Sequence, residues 1–129
     1  GMLATDEAVY CPGHFDADGA PLVGSRRYTM RFAPDDTPPA DAFWSVTLYD
    51  ADRFLYGNEI GRHAIGDRTP GLRRDPDGGL TLVFSHARPQ DASNWLPTPE
   101  GRFYLILRLY YPRDGVRGWR VPPLRPLPA

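Results

Sequence analysis

Arg108 stands alone as a charge within the run "FYLILRLYY", residues 103–111, where every other side chain is apolar or aromatic. A guanidinium in that setting does one of two kinds of chemistry. It pairs with a carboxylate of its own protein, or it faces a polar cavity and receives the carboxylate or phosphate of a ligand, because an unpaired buried charge costs several kcal/mol. The internal partner that the sequence offers is Asp50, at the end of "FWSVTLYD". In the pocket alternative Arg108 works with Tyr110 on its own strand face and with His63, Asn58, Asn94 and Trp95 as candidate ligand contacts. Asn94 and Trp95 precede a proline-rich turn and admit two readings: the rim of a binding groove, or an indole plugging one end of the fold while the asparagine bonds turn backbone. Trp44 and Trp119 read as a core residue and an anchor.

Other chemistry finds less support. The histidines are His14, His63 and His86, with no HxH or HxxxH spacing among them. If residues 61–65 form a strand paired antiparallel with residues 80–86, position 63 lies beside 82 and His63 stays apart from His86. "HFDADG" has the outline of a calcium loop, with His14, Asp16 and Asp18 at alternating positions. Its first ligand is a histidine, however, and Ser25 stands where a bidentate glutamate belongs. No metal and no cofactor is therefore expected. Ser45 and Ser85 fall within strand patterns and Ser93 in a loop, none of them in a GxSxG elbow. The paired carboxylates Asp35 with Asp36 and Asp75 with Asp77 have the positions of turn caps. Cys11 is the chain's single cysteine, which excludes an internal disulfide.

The elements that must position these residues are short strands. Fifteen prolines and thirteen glycines fall mostly between apolar runs and leave little room for helix. "RRYTMRF" alternates Tyr28, Met30 and Phe32 with Arg27, Thr29 and Arg31, a strand with one wet face. "AFWSVTLYD" sends Trp44, Val46 and Leu48 one way and Phe43, Ser45, Thr47 and Tyr49 the other. "LTLVFSH" alternates Leu80, Leu82 and Phe84 with Thr81, Val83 and Ser85. "RFYLILRLYY" is apolar on both faces, as a central strand is, with Tyr104, Ile106, Arg108 and Tyr110 opposite Phe103, Leu105, Leu107, Leu109 and Tyr111. Residues 7–10, 53–56 and 61–65 are further strand candidates. "DADG" and "DPDG" have the composition of type I turns. Such a series of six to eight short strands describes an antiparallel sandwich or barrel rather than a βαβ protein. The tail "VPPLRPLPA" is too rich in proline to continue a sheet, so residues 120–129 read as a strap of polyproline type begun by Trp119.

At 129 residues the chain holds one domain. A formal charge of -1 provides no basic field for nucleic acid, and no apolar run approaches the roughly 18 residues of a membrane-spanning helix. "GMLATDEAVY" lacks the charged and apolar regions of a signal peptide, and Gly1 ahead of Met2 reads as the remnant of an added tag. The expectation is a soluble protein of unknown compartment.

"DADGAPLVGSRRYTMRF", "AFWSVTLYD", "DGGLTLVF", "NWLPTPEGRFYLILRLYYP" and "GWRVPP", in that order, resemble the bacterial domain of unknown function 1214. The resemblance runs from about Ala8 to Pro123. It implies a β-sandwich of jelly-roll type, a frequent sister domain (1254) in longer proteins, and no catalytic residue set. The chain departs from the family pattern where Asn58 is followed by Glu59 rather than proline, at His63 and Val23, and at Gly79. From residues and resemblance together, the expectation is an all-β, jelly-roll-like antiparallel sandwich. It binds a small ligand or a protein partner without catalysis and is a candidate homodimer; the alternative is an enzyme or enzyme fragment with a polar pocket around Arg108.

Overall fold

The computed structural model describes residues 3–4, 7–114 and 116–128. Gly1 and Met2, and with them the tag reading, lie outside the described residues. Among the described residues the strands in chain order are β1 (Leu3–Ala4), β2 (Ala8–Gly13), β3 (Tyr28–Phe32), β4 (Ala40–Asp50), β5 (Ala64–Gly66), β6 (Leu80–Ser85), β7 (Trp95–Pro97), β8 (Phe103–Pro112) and β9 (Arg125–Pro126), with a 3-10 turn at Val116–Gly118. They form two sheets, β1-β2-β8-β4-β5 and β7-β6-β3-β9, and all pairs are antiparallel except β6 with β7. This is an all-β sandwich.

Period-two patterning decides which side chains meet between the sheets. From the five-stranded sheet come Val9 and Cys11, Trp44, Val46 and Leu48, and Phe103, Leu105, Leu107 and Leu109. From the four-stranded sheet come Tyr28, Met30 and Phe32, then Leu80, Leu82 and Phe84, then Leu96. β8 is the central strand, as its apolar composition on both faces predicts. The alternation fails at Tyr111, where φ is +54° and the ring is 57% exposed, so Tyr111 leaves the face of Leu109.

Turn chemistry closes the strands where the sequence places it. In "DADG" and "DPDG" the fourth residue donates its N–H to the first residue's carbonyl, Gly19 to Asp16 at 3.0 Å and Gly78 to Asp75 at 2.9 Å. Both glycines have positive φ, +85° and +91°, where a Cβ is strained. The Asp16 carboxylate serves as the cap of its own turn, accepting from the N–H of Asp18 and of Ala20 at 2.8 and 3.0 Å. In the other turn Arg31 reaches both Asp75 and Asp77, and the Gly79 N–H followed by Arg31 holds the Asp77 carboxyl below its ordinary pKa.

Three strand expectations are corrected. Residues 53–56 form no strand; Arg53 has φ +70°, and the segment contributes a lone bridge, Tyr49 with Leu55. The strand expected at 61–65 is β5, which pairs with β4 (Val46 with Ile65) and not with residues 80–86. Proline also does not keep the tail out of the sheet. Lacking an N–H, it is barred from a ladder interior but not from an outermost position, and Pro126 lies there opposite Tyr28. Trp119 stacks on Phe32 with centroids 6.3 Å apart, and its indole N–H donates to Asp36 Oδ1 at 3.2 Å.

Candidate functional site

The strand β8 carries Arg108 on the outer face of the five-stranded sheet, and register supplies its neighbours. Arg108 is flanked by Tyr10 of β2 on one side and Ser45 of β4 on the other. Its Nη1 donates to Thr47 Oγ1 at 2.9 Å and its Nη2 to the Tyr49 hydroxyl at 2.8 Å. The guanidinium carbon lies 5.7 Å from the Tyr10 ring centroid and 5.8 Å from that of Tyr49, within cation–π range. Rings continue the arrangement along the sheet. Tyr49 stacks on Tyr104 at 5.2 Å, Tyr104 on His14 at 4.9 Å, and Tyr110 on Phe43 at 4.3 Å. The Arg68 guanidinium carbon lies over the Phe43 ring, 4.3 Å from its centroid.

The expected pair of Arg108 with Asp50 is not the arrangement found. Asp50 lies opposite Phe103, at the far end of β8, and its Oδ1 accepts from the N–H of Asp52 and of Phe54 in the following turn. The physical reason is burial. Arg108 is half-buried on an open sheet face, so water meets part of its solvation demand and no carboxylate is required. Two hydroxyls and two rings then replace one ion pair. Arg108→Ala is accordingly expected to lower stability by about 1–2 kcal/mol, the worth of neutral hydrogen bonds and a partly solvated cation–π contact. Urea denaturation checks this; a loss of about 4 kcal/mol would mean a buried, paired charge instead.

Of the remaining candidates Tyr110 shares the strand face of Arg108, where it stacks on Phe43, and the others do not converge there. Trp95 is 1% exposed, but it lies on the outer face of the four-stranded sheet, beside Val83, while its neighbour Leu96 enters the core. Trp95 is thus buried outside the inter-sheet core rather than plugging the sandwich, and its indole N–H donates to the Ser85 carbonyl at 2.9 Å. Asn94 bonds backbone as expected. Its Nδ2 donates to the carbonyls of Arg73 and Thr81 at 2.7 and 2.9 Å, and its Oδ1 accepts from the Arg73 N–H at 2.9 Å. Asn58 closes the loop before β5, accepting from the Arg62 N–H at 3.0 Å and donating to the Arg62 carbonyl. His63 is exposed, with Nδ1 3.0 Å from the Tyr56 carbonyl oxygen.

Several contributors escape a reading by sequence. Arg62 fastens its loop to the segment before and within β7, its Nη1 donating to the carbonyls of Ala92, Ser93 and Trp95 at 3.0–3.3 Å. Tyr10, Phe43, Thr47, Tyr49 and Tyr104 build the surroundings of Arg108. The period-two faces of Phe43, Thr47, Tyr49 and Tyr104 are legible in the sequence, whereas the register that brings them together with Tyr10 is not. Beside this ladder, an open groove of about 440 Å³ runs along β5, lined by Phe43, Ser45, Ile60, Arg62, His63 and Arg68 among others. No group of three or more His, Cys, Asp or Glu side chains converges among the described residues. No described helix is long and apolar enough to cross a membrane.

Comparison with known proteins agrees with this architecture. Residues 7–114 match the family described as "Protein of unknown function (DUF1214)". The crystal structure of the VPA0106 protein from Vibrio parahaemolyticus is 36% identical, with a TM-score of 0.83, over 95% of this chain and 31% of that one. A putative uncharacterized protein from Burkholderia cenocepacia is 16% identical with a TM-score of 0.54, over 100% of this chain and 33% of that one, a likeness of fold alone. The chain therefore spans about a third of the length of these two solved structures. No curated protein matches it.

Proposed function

The chain belongs to the DUF1214 family, and from that premise we propose that it is a non-catalytic binding module whose outer five-stranded face docks a segment of another polypeptide. The observation that carries this reading is the ladder of half-buried rings around an arginine that bonds only neutral groups. Such a face offers rigid aromatic area together with guanidinium N–H groups not used internally, the combination enriched at protein–protein contacts. The groove along β5 adds backbone. Bonds from Leu48 N to His63 O and from Asp67 N to Trp44 O fix the alternation, so the N–H and carbonyl of Ala64 between them turn away from β4 toward the open edge. An extended peptide adds to such an edge while placing side chains on the neighbouring rings.

Charge selects the occupant. In a homodimer with its two-fold axis through this face, Arg108 and Arg68 of the two copies are gathered into one interface, a like-charge arrangement. A different polypeptide, bearing carboxylates beside apolar side chains, is the complementary one. The greater length of both solved structures supports the reading, since there the same fold is part of a longer chain. The pocket-enzyme alternative has less support, because Asn58 and Asn94 are spent on backbone and His63, although it lines the groove, has its Nδ1 at the Tyr56 carbonyl.

The test is selection from a random peptide library displayed on phage, followed by calorimetry with the enriched peptides. Enriched sequences are expected to combine an aromatic or aliphatic residue with Asp or Glu, and Arg108→Glu to weaken them about tenfold or more, at least 1.4 kcal/mol. Peptides that bind wild type and Arg108→Glu equally, or no enrichment over that variant, would overturn the proposal.

A further inference from the structure

Between the sheets, on the side where the C-terminal tail crosses, lies an apolar cavity of about 160 Å³. Its inner wall is made by Cys11, Met30, Val46, Leu105 and Leu107. Its roof is the tail from Val121 to Leu124. That roof is fastened on both sides. Trp119 holds one end on Phe32 and Asp36. At the other, the Ala17 N–H donates to the Leu124 carbonyl at 2.8 Å, Leu124 is 5% exposed, and β9 is paired to β3.

We propose that this cavity is a binding site for a neutral apolar molecule of about the size of benzene. Three features of the lining argue for it. No charged side chain lines the cavity, and the Cys11 thiol is its one side-chain polar group, so apart from that thiol only main-chain groups could bind a water inside. A dry apolar cavity of about 150 Å³ is large enough for benzene or xenon. Gly13 accounts for the empty volume. It lies opposite Leu105 in the register, on the face that points between the sheets, and has no side chain to fill the space. A Cβ built there meets nothing closer than the Leu105 carbonyl oxygen at 3.9 Å, so the space is not demanded by the backbone. An ionised ligand gains nothing from such walls and loses its hydration. Selectivity for neutral molecules follows.

Cys11 is the chain's only cysteine and reports on occupancy. Its alkylation by N-ethylmaleimide is measured with benzene, with benzoate and with neither, alongside the melting temperature. Benzene is expected to slow alkylation by a factor of one plus its concentration over its dissociation constant, about twofold at that constant, and to raise the melting temperature. Benzoate is expected to do neither. Gly13→Ile, which sends a β-branched side chain into the cavity, should abolish both benzene effects, and the smaller Gly13→Ala should weaken them. The proposal fails if benzene changes neither readout in the wild type, if benzoate acts equally, or if both glycine variants respond as the wild type does.

Discussion

Trp95→Ala is expected to lower the free energy of unfolding by about 3–5 kcal/mol, the cost of deleting a fully enclosed indole. The size of the effect follows from where the ring sits. At 1% exposure the indole is almost wholly removed from water, and its N–H is spent on the Ser85 carbonyl. Alanine leaves a void and removes one of the two hydrogen bonds that the Ser85 carbonyl accepts, the other coming from the Thr98 N–H at 3.0 Å. Domains of this kind are stable by only about 5–15 kcal/mol, so the variant approaches the unfolding threshold. Urea denaturation should show a lower midpoint with an unchanged slope, the sign of lost stability without altered compactness. Trp95→Phe separates the contributions, since it retains most of the apolar volume and loses the hydrogen bond. A wild-type midpoint for Trp95→Ala would mean that the overlying loop closes over the gap at no cost.

Gly24→Ala is the second large expected effect, about 3 kcal/mol or more, with a single methyl as its cause. A Cβ on Gly24 falls 1.5 Å from the Pro99 carbonyl oxygen and 2.6 Å from the Pro99 carbonyl carbon. Those are backbone atoms, so no rotamer change relieves the overlap and a whole segment must move. The movement breaks what holds that segment: the Gly24 N–H bond to the Gly101 carbonyl at 2.9 Å and the bridge of Val23 with Arg102. It also strains the entry to β8, where the Phe103 N–H donates to the Leu22 carbonyl at 3.3 Å. Hydrogen exchange on Gly24 and Phe103 should accelerate in the variant along with a drop in melting temperature. Both measurements unchanged would show that residues 98–101 yield freely.

These positions mark the limits of what the linear pattern reveals. Alternation in Tyr28, Met30 and Phe32, and in Leu80, Leu82 and Phe84, is enough to place each strand and its buried face, because a side chain's face depends only on parity along its own strand. The face of Arg108 follows from parity for the same reason. Its partner does not, since a partner depends on register between strands distant in sequence: β8 meets β4 with Arg108 beside Ser45, leaving Asp50 beside Phe103. The strand β7 was hidden by its prolines, which made "NWLPTP" read as a turn. Its burial was hidden as well, because Trp95 is enclosed on a face that parity alone labels as outer. β5 is three residues long, too short for any register signal of its own, and its pairing with β4 emerges only from the assembled sheet. Arg62 had no sequence signature, since its acceptors are main-chain carbonyls that any residue provides.

The two borders of the four-stranded sheet bear on a different hazard, the growth of fibrils. One border is β7, ending in Pro97, and the other is β9, ending in Pro126. Each is at most three residues long, and each includes a residue with no amide hydrogen to offer an incoming chain. A cross-β template needs a long row of free donors and acceptors, and neither border supplies one. The prolines that break the chain into short pieces thus also terminate this sheet against uncontrolled self-addition. β5, an edge of the other sheet, contains no proline. Resistance to self-addition thus belongs to the borders of one sheet, and the docking proposed above falls to an edge of the other.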